Sequence, residues 1–179
     1  MDIIKVIFWG RGGQGVKTCA EVLARAAFNQ GLEVQAFPEY GPERSGAPVR
    51  SFLKISSKPI KEQCQITDAD FVVILDSSLL QTNLKEGILN QKTAKYLINS
   101  KISSEIANAK FIDASSIAIR HLGKDLPNIA LSGALIKMMK RNVIKLQSLE
   151  QAVKEVLAKK PDLIDVNIKA LKESYNLIK

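Results

Sequence analysis

Gly10-Arg11-Gly12-Gly13-Gln14-Gly15-Val16 places four glycines within six consecutive positions. The apolar run Ile3-Ile4-Lys5-Val6-Ile7-Phe8-Trp9 leads into it, and Cys19 to Ala27 follows with helical spacing, so the segment reads as strand, turn, helix. Glycine adopts φ > 0 freely and leaves no Cβ between the backbone and a ligand. A helix that begins at such a turn aims unpaired N–H groups and the positive end of its dipole at one point, which suits a phosphate or a carboxylate. Gly10, Gly12 and Gly15 also match the G-x-G-x-x-G spacing of dinucleotide-binding folds. A tight turn that only packs the helix onto a sheet would carry the same spacing.

Other groups with chemical potential are few. Cys19 and Cys64 are the only cysteines and His121 the only histidine, too few for an iron–sulfur cluster or a structural zinc site, so no metal site is expected. Cys19 falls in the first turn of the first helix, where a dipole lowers a thiol pKa, but a small buried apolar residue is the commoner role there. Asp76 and Asp113 each end a strand, where a carboxylate orients a ligand hydroxyl or, more often, caps the next helix. Glu39 lies about 20 residues past the glycines, the spacing of the ribose-binding acid in dinucleotide folds. Glu43 and Arg44 share its loop, and a solvated pair between them would contribute little. His121 beside Arg120 reads as a surface or capping residue, and Trp9 and Met138-Met139 as core or interface.

The elements that must position these groups follow from periodicity. Leu32 to Phe37 alternates as a strand, and residues 38–48 hold three prolines and two glycines, through which neither helix nor ladder can run. Val49 to Ile55 alternates again, as expected of an edge or antiparallel strand with one wet face. Phe71 to Leu75 is continuously apolar, the pattern of a strand buried on both faces, and Ser77 or Ser78 could cap the short helix after it. Tyr96 to Asn99 and Lys110 to Ala114 are further strands. Asn128 to Lys140 is apolar nearly all round and implies a buried helix; Ser148 could cap Leu149 to Ala158, and Pro161 could open a last helix through Ile178. The sum is an α/β fold: a Rossmann-like open, mainly parallel sheet with helices on both faces and a helical C-terminal part.

The 179 residues suit one domain, 1–179, without linker or repeat. A formal charge of +8 invites a nucleic-acid partner. Its lysines are scattered and carry no interleaved aromatics, so an acidic partner subunit or a polyphosphate ligand ranks above nucleic acid. No apolar run approaches the ~20 residues of a membrane span, and no leader precedes the first strand, so a cytoplasmic protein without membrane contact is expected.

Three separated segments carry a family resemblance: the Gly-Gly-Gln-Gly-Val turn, the loop Tyr40-Gly41-Pro42-Glu43-Arg44-Ser45-Gly46-Ala47-Pro48-Val49, and Asp113-Ala114 with Asn128 through Gly133-Ala134-Leu135. Together they resemble the gamma subunit of 2-oxoacid:ferredoxin oxidoreductases, and Asn167 to Tyr175 looks like that family's ending. The resemblance implies a complex that oxidatively decarboxylates a 2-oxoacid, passes the acyl group to coenzyme A and reduces ferredoxin. Thiamine diphosphate, Mg2+ and iron–sulfur clusters would sit on other subunits: alpha, a thiamine-binding beta and a ferredoxin-like delta. This chain would carry no cofactor and no catalytic residue, and would be inert alone. The Gly-Pro-Glu-Arg and Gly-Ala-Pro forms resemble the pyruvate branch, with the 2-oxoisovalerate branch close behind. On this resemblance Gly12, Gly13, Gln14 and Gly15 form a nest of donors near coenzyme A phosphates or at a subunit junction. Gln14 adds a side-chain amide contact, and Arg44 a bidentate contact with a carboxylate or phosphate. A stand-alone dinucleotide-binding or regulatory domain is the reading from another class.

Overall fold

A computed structural model describes residues 3–39, 46–61, 64–82, 85–90, 93–139 and 143–179. Strand β1 (Ile4–Arg11) leads through the glycine turn into helix α1 (Val16–Phe28), and β2 (Glu33–Glu39) and β3 (Pro48–Ser56) follow. Then come β4 (Phe71–Ile74), a 3₁₀ turn (Ser77–Gln81), α2 (Lys85–Leu89), β5 (Lys95–Asn99) and β6 (Ala109–Ile112). The chain continues as α3 (Ala114–Leu122), α4 (Asn128–Met138), α5 (Leu146–Val156), a 3₁₀ turn (Pro161–Leu163) and α6 (Ile164–Leu177).

One six-stranded sheet runs in the order β2-β3-β1-β4-β5-β6. β1, β4, β5 and β6 are mutually parallel, while β3 pairs antiparallel with both β1 and β2. The central strands β1, β4 and β5 are largely apolar on both faces because both faces of the sheet are covered there. Along β1, Val6 and Phe8 join a core with α1 and α3 to α6, whereas Ile7 and Trp9 turn to the opposite face. There they meet Phe52, Val72, Ile74 and Tyr96 under the first 3₁₀ turn and α2. The long helices thus gather on one face, and the other is covered by short elements and loops.

Three details differ from the sequence reading. β3 is antiparallel, as one of the two expected alternatives had it, but it is no edge and has no wet face: it is inserted between β2 and β1, and Ser51, Lys54 and Ser56 on it are buried, so β2 is the edge. Helix α5 begins at Leu146 instead of being capped by Ser148, because Gln30 at the end of α1 accepts the Lys145 N–H at 2.8 Å and donates to the Val143 carbonyl at 2.7 Å. The first 3₁₀ turn is capped by Asp76, in the capping role expected of a carboxylate at a strand end, with Oδ1 accepting the Ser78 N–H at 3.0 Å; the alternative caps Ser77 and Ser78 are not used.

Helix α4 is buried nearly all round, with only Lys137 exposed, as its largely apolar sequence implies. Its Gly133 lies against α6, where a Cβ would meet the Leu171 carbonyl oxygen at 2.3 Å. Ser174 on α6 donates to the Ala130 carbonyl and ties the two helices further. Among the described residues no helix is long and apolar enough to cross a membrane.

Candidate functional site

The connections after β1, β4, β5 and β6 all emerge at the carboxyl edge of the sheet. From β1 the chain moves toward β2 and β3 on one side, and from β4 toward β5 and β6 on the other. The gap between the ends of β1 and β4 is therefore the switch point at which open α/β sheets bind ligands.

The glycine turn occupies this gap, and its glycines differ in duty. A Cβ at Gly10 would come within 2.6 Å of Val16 Cγ2 and 3.1 Å of Leu75 Cβ, so Gly10 lets the helix approach the sheet. Gly15, at φ +76, caps α1, and a Cβ there would lie 2.3 Å from Asn128 Nδ2 on α4. The Gly12 N–H is taken by the Ala47 carbonyl at 2.9 Å. Gly13 alone of these is exposed: it sits at φ +97, and a Cβ on it would meet nothing within 4 Å, so its requirement is conformational and not steric.

Gln14 does not offer its amide outward. Oε1 accepts the Arg11 N–H at 2.8 Å, and Nε2 donates to Asp76 Oδ2 at 2.9 Å. Arg11 lies 3.2 Å from the same carboxylate through Nε and donates to the Gly46 carbonyl at 3.1 Å and to Ser78 Oγ at 2.9 Å. Burial raises the Asp76 pKa, but the Ser78 and Gln14 hydrogen bonds and the Arg11 charge outweigh it and hold the carboxyl below its usual range. Asp113 caps α3 by accepting the Ser116 N–H at 2.9 Å, and its pKa is likewise lowered against burial by that cap. Asn99 locks the end of β5, donating to the Leu75 carbonyl at 2.8 Å and accepting the Ser115 N–H at 3.1 Å.

Beside the turn opens a cavity of about 310 Å³, walled by Gly12, Gly13, Gly15, Lys17, Glu39 and Arg50 among others. Arg11 also borders it, though its guanidinium is committed inward. Lys17, exposed in the first turn of α1, is the cation that the sequence reading missed, since a lone lysine carries no spacing signal. A groove of about 430 Å³ continues from Lys17 along α1 to Phe28 and against Val34, Phe37 and Pro38. Arg44, Glu43 and Tyr40 lie outside the described residues.

Glu39 is not placed to bind a ribose. It forms a bidentate pair with Arg50, its register partner on β3, and accepts from Gln65 Nε2 at 3.0 Å. Arg50 stacks 4.9 Å above the Trp9 ring. Because β3 intervenes, β2 lies two strand spacings from β1, roughly 10 Å, instead of one. Cys19 is fully buried against the Asn128 carbonyl at 3.2 Å and Ser132 Oγ at 3.3 Å, and burial pushes its thiol up to about 12. His121 and Arg120 end α3 and both pair with Glu173, while Trp9, Met138 and Met139 belong to the core.

Residues 5–177 match the family model described as pyruvate ferredoxin/flavodoxin oxidoreductase. The chain is 41% identical, over 97% of its length and 96% of the relative's, to the pyruvate/ketoisovalerate oxidoreductases common subunit gamma of Thermococcus kodakarensis. It is 33% identical to pyruvate synthase subunit PorC of Thermotoga maritima, over 95% of this chain and 92% of that one. The crystal structure of the Thermotoga maritima pyruvate oxidoreductase subunit superposes with a TM-score of 0.83 at 30% identity, covering 100% of this chain and 98% of that one. The fold also recurs, with a TM-score of 0.80 at 19% identity, in 31% of a 2-oxoglutarate:ferredoxin oxidoreductase chain from Magnetococcus marinus, solved with 2-oxoglutarate, coenzyme A and succinyl-CoA bound.

Proposed function

Because this chain belongs to the pyruvate ferredoxin/flavodoxin oxidoreductase family, we propose that it is the gamma subunit of a pyruvate:ferredoxin oxidoreductase whose glycine turn faces coenzyme A. The observation that carries the reading is similarity along nearly the whole chain to gamma subunits of such enzymes. The assembled complex converts pyruvate, coenzyme A and oxidised ferredoxin to acetyl-CoA, CO2 and reduced ferredoxin, in the cytoplasm. Residues 1–179 act in it as one gamma-type domain beside alpha, thiamine-binding beta and ferredoxin-like delta subunits.

This division of labour agrees with the donor set. The buried Cys19 thiol stays protonated at neutral pH and makes a poor cluster ligand, which leaves Cys64 as the one exposed thiol among the described residues. On this reading thiamine diphosphate, Mg2+ and iron–sulfur clusters belong to the partners, and the chain alone is inert. What it contributes is binding. The cavity at the turn combines exposed backbone at Gly13, the start of α1 and the Lys17 cation, a fit for phosphate. That cavity and the apolar groove share Lys17, Pro38 and Ser51 in their walls, so a ligand with a phosphate end and a long uncharged arm suits both. Arg44 carries the proposed bidentate contact with a carboxylate or phosphate.

A second reading has its own support. The Thermococcus kodakarensis relative is a common subunit of pyruvate and ketoisovalerate oxidoreductases, so one gamma chain serves two substrates there. On that reading the other subunits choose the 2-oxoacid. The loop at Gly41 to Pro48 would then carry no substrate preference.

Affinity purification of the tagged chain from its native host tests both. The expected result is a complex that contains thiamine diphosphate and iron and reduces ferredoxin with pyruvate and coenzyme A. Recovery of the chain alone, or with partners lacking thiamine diphosphate, refutes the proposal. Two distinct complexes sharing this chain, one active on 2-oxoisovalerate, would select the second reading.

A further inference from the structure

Asp76 divides the work of its two carboxylate oxygens. Oδ1 accepts the Ser78 N–H at 3.0 Å and caps the 3₁₀ turn, a local duty. Oδ2 serves the glycine turn across 62 residues of sequence, accepting from Gln14 Nε2 at 2.9 Å, and it lies 3.2 Å from Arg11 Nε. Gln14 passes the constraint to the backbone, because its Oε1 accepts the Arg11 N–H at 2.8 Å. Arg11 extends the same network to the Gly46 carbonyl, one residue before the Ala47 carbonyl that takes the Gly12 N–H. The carboxylate thus joins the β1–α1 turn, the β4 turn and the stem of the β2–β3 connection at the switch point.

From this arrangement we infer that Asp76 is a positioning residue for the glycine turn. Acting through Gln14 and Arg11, it fixes the backbone donors of the turn so that they meet an anionic co-substrate without reorganising. A carboxylate needed only as a helix cap would use Oδ1 alone. A turn needed only for packing would be held by Gly10 and Gly15, which already fit against Val16, Leu75 and Asn128. Oδ2 does neither of these jobs, and both of its contacts are to Arg11 and Gln14. The inference rests on the reading that coenzyme A phosphates lie at the turn.

Asp76→Asn separates the two duties. Asparagine caps as well as aspartate, so an acceptor for Ser78 remains. The oxygen that faced Gln14 Nε2 and Arg11 Nε becomes a donor facing donors. In the assembled complex the KM for coenzyme A should rise about tenfold, the loss expected for one hydrogen bond to a charged group. kcat and the KM for pyruvate should stay within about twofold, and amide hydrogen exchange over residues 10–18 should quicken. Adding Gln14→Glu places an acceptor opposite the new donor and should slow exchange and lower the coenzyme A KM again. If Asp76→Asn fails to assemble, Gln14→Leu removes the bridging amide, leaves the cap, and carries the same expectations for exchange and KM.

Unchanged exchange over residues 10–18, or a double variant no better than Asp76→Asn, overturns the inference. Parallel losses in the KM of both substrates also overturn it. Faster exchange that Gln14→Glu reverses, with an unaltered coenzyme A KM, keeps Asp76 as the anchor of the turn and refutes the placement of coenzyme A there.

Discussion

Alanine at Gly15 measures how far the turn is built by contacts distant in sequence. The residue sits at φ +76, where a Cβ costs roughly 1–2 kcal/mol. The new methyl would also lie 2.3 Å from Asn128 Nδ2 and 2.9 Å from its Cγ. Asn128 is 8% exposed and opens helix α4, so it has little room to swing aside, and overpacking of this kind costs a further 1–3 kcal/mol or so. Gly15→Ala should therefore lower stability by about 2–5 kcal/mol, a fall in Tm of roughly 4–20 °C for a chain of this length. The steric share can be isolated. Asn128→Ala alone loses only a long 3.4 Å bond to the Gly15 carbonyl and some packing. In the Gly15→Ala background it also removes the clash, so the double variant should be more stable than the sum of the singles by about 1–3 kcal/mol. Urea denaturation followed through Trp9, the single tryptophan, supplies all four stabilities. A Tm loss under about 2 °C for Gly15→Ala, or strict additivity in the cycle, would refute the close approach of turn and helix.

Other expectations follow from the same geometry. Arg50→Ala removes the guanidinium from above Trp9 and leaves Glu39 with Gln65 but without its cation, so Trp9 emission should shift and stability fall by about 1 kcal/mol; an unmoved spectrum contradicts the stacking. In the native chain at pH 8 a thiol reagent should titrate Cys64 and spare Cys19, whose pKa is about 12, with both reacting only after denaturation. Asp76, Asp113 and Glu173 have folded pKa values below their unfolded ones, so their stabilisation is complete above the unfolded values and disappears as pH falls through the folded ones. Stability should hold from pH 7 to about 4 and decline below, with a shallower decline in Asp113→Asn; a decline already steep at pH 6 contradicts the assignment.

How much of this was readable beforehand depended on sequence separation. The β1, turn and α1 unit was legible because each signal is local: an apolar run, a glycine cluster, then helical spacing. β4 and α4 declared their burial through continuous apolarity, and Asp113 its cap through position. Alternation in β3 reports which residues share a face but not which strand lies alongside, so its insertion between β2 and β1 stayed hidden. That one placement decides the fate of Glu39, which meets Arg50 in register instead of a ribose. The bond from Gln14 to Asp76 spans 62 residues and that from Asn128 to Gly15 spans 113, and no periodicity encodes either. Sequence alone consequently makes Gln14 an outward contact, although its amide is consumed in the turn itself.

The burial of α4 nearly all round sets an order of events during synthesis. Its apolar surface is covered partly by α1, which the ribosome has already delivered, and partly by α6, which ends at Leu177. At ordinary elongation rates the interval between the end of α4 and the end of α6 is roughly 2–8 s. For that time the α6-facing side of a helix with almost no polar face stays uncovered in the nascent chain. A chaperone that shields such a helix, or a pause that lengthens the interval, would govern the yield of this subunit. A messenger cut short before α6 would release a chain whose sheet is complete and whose core is open.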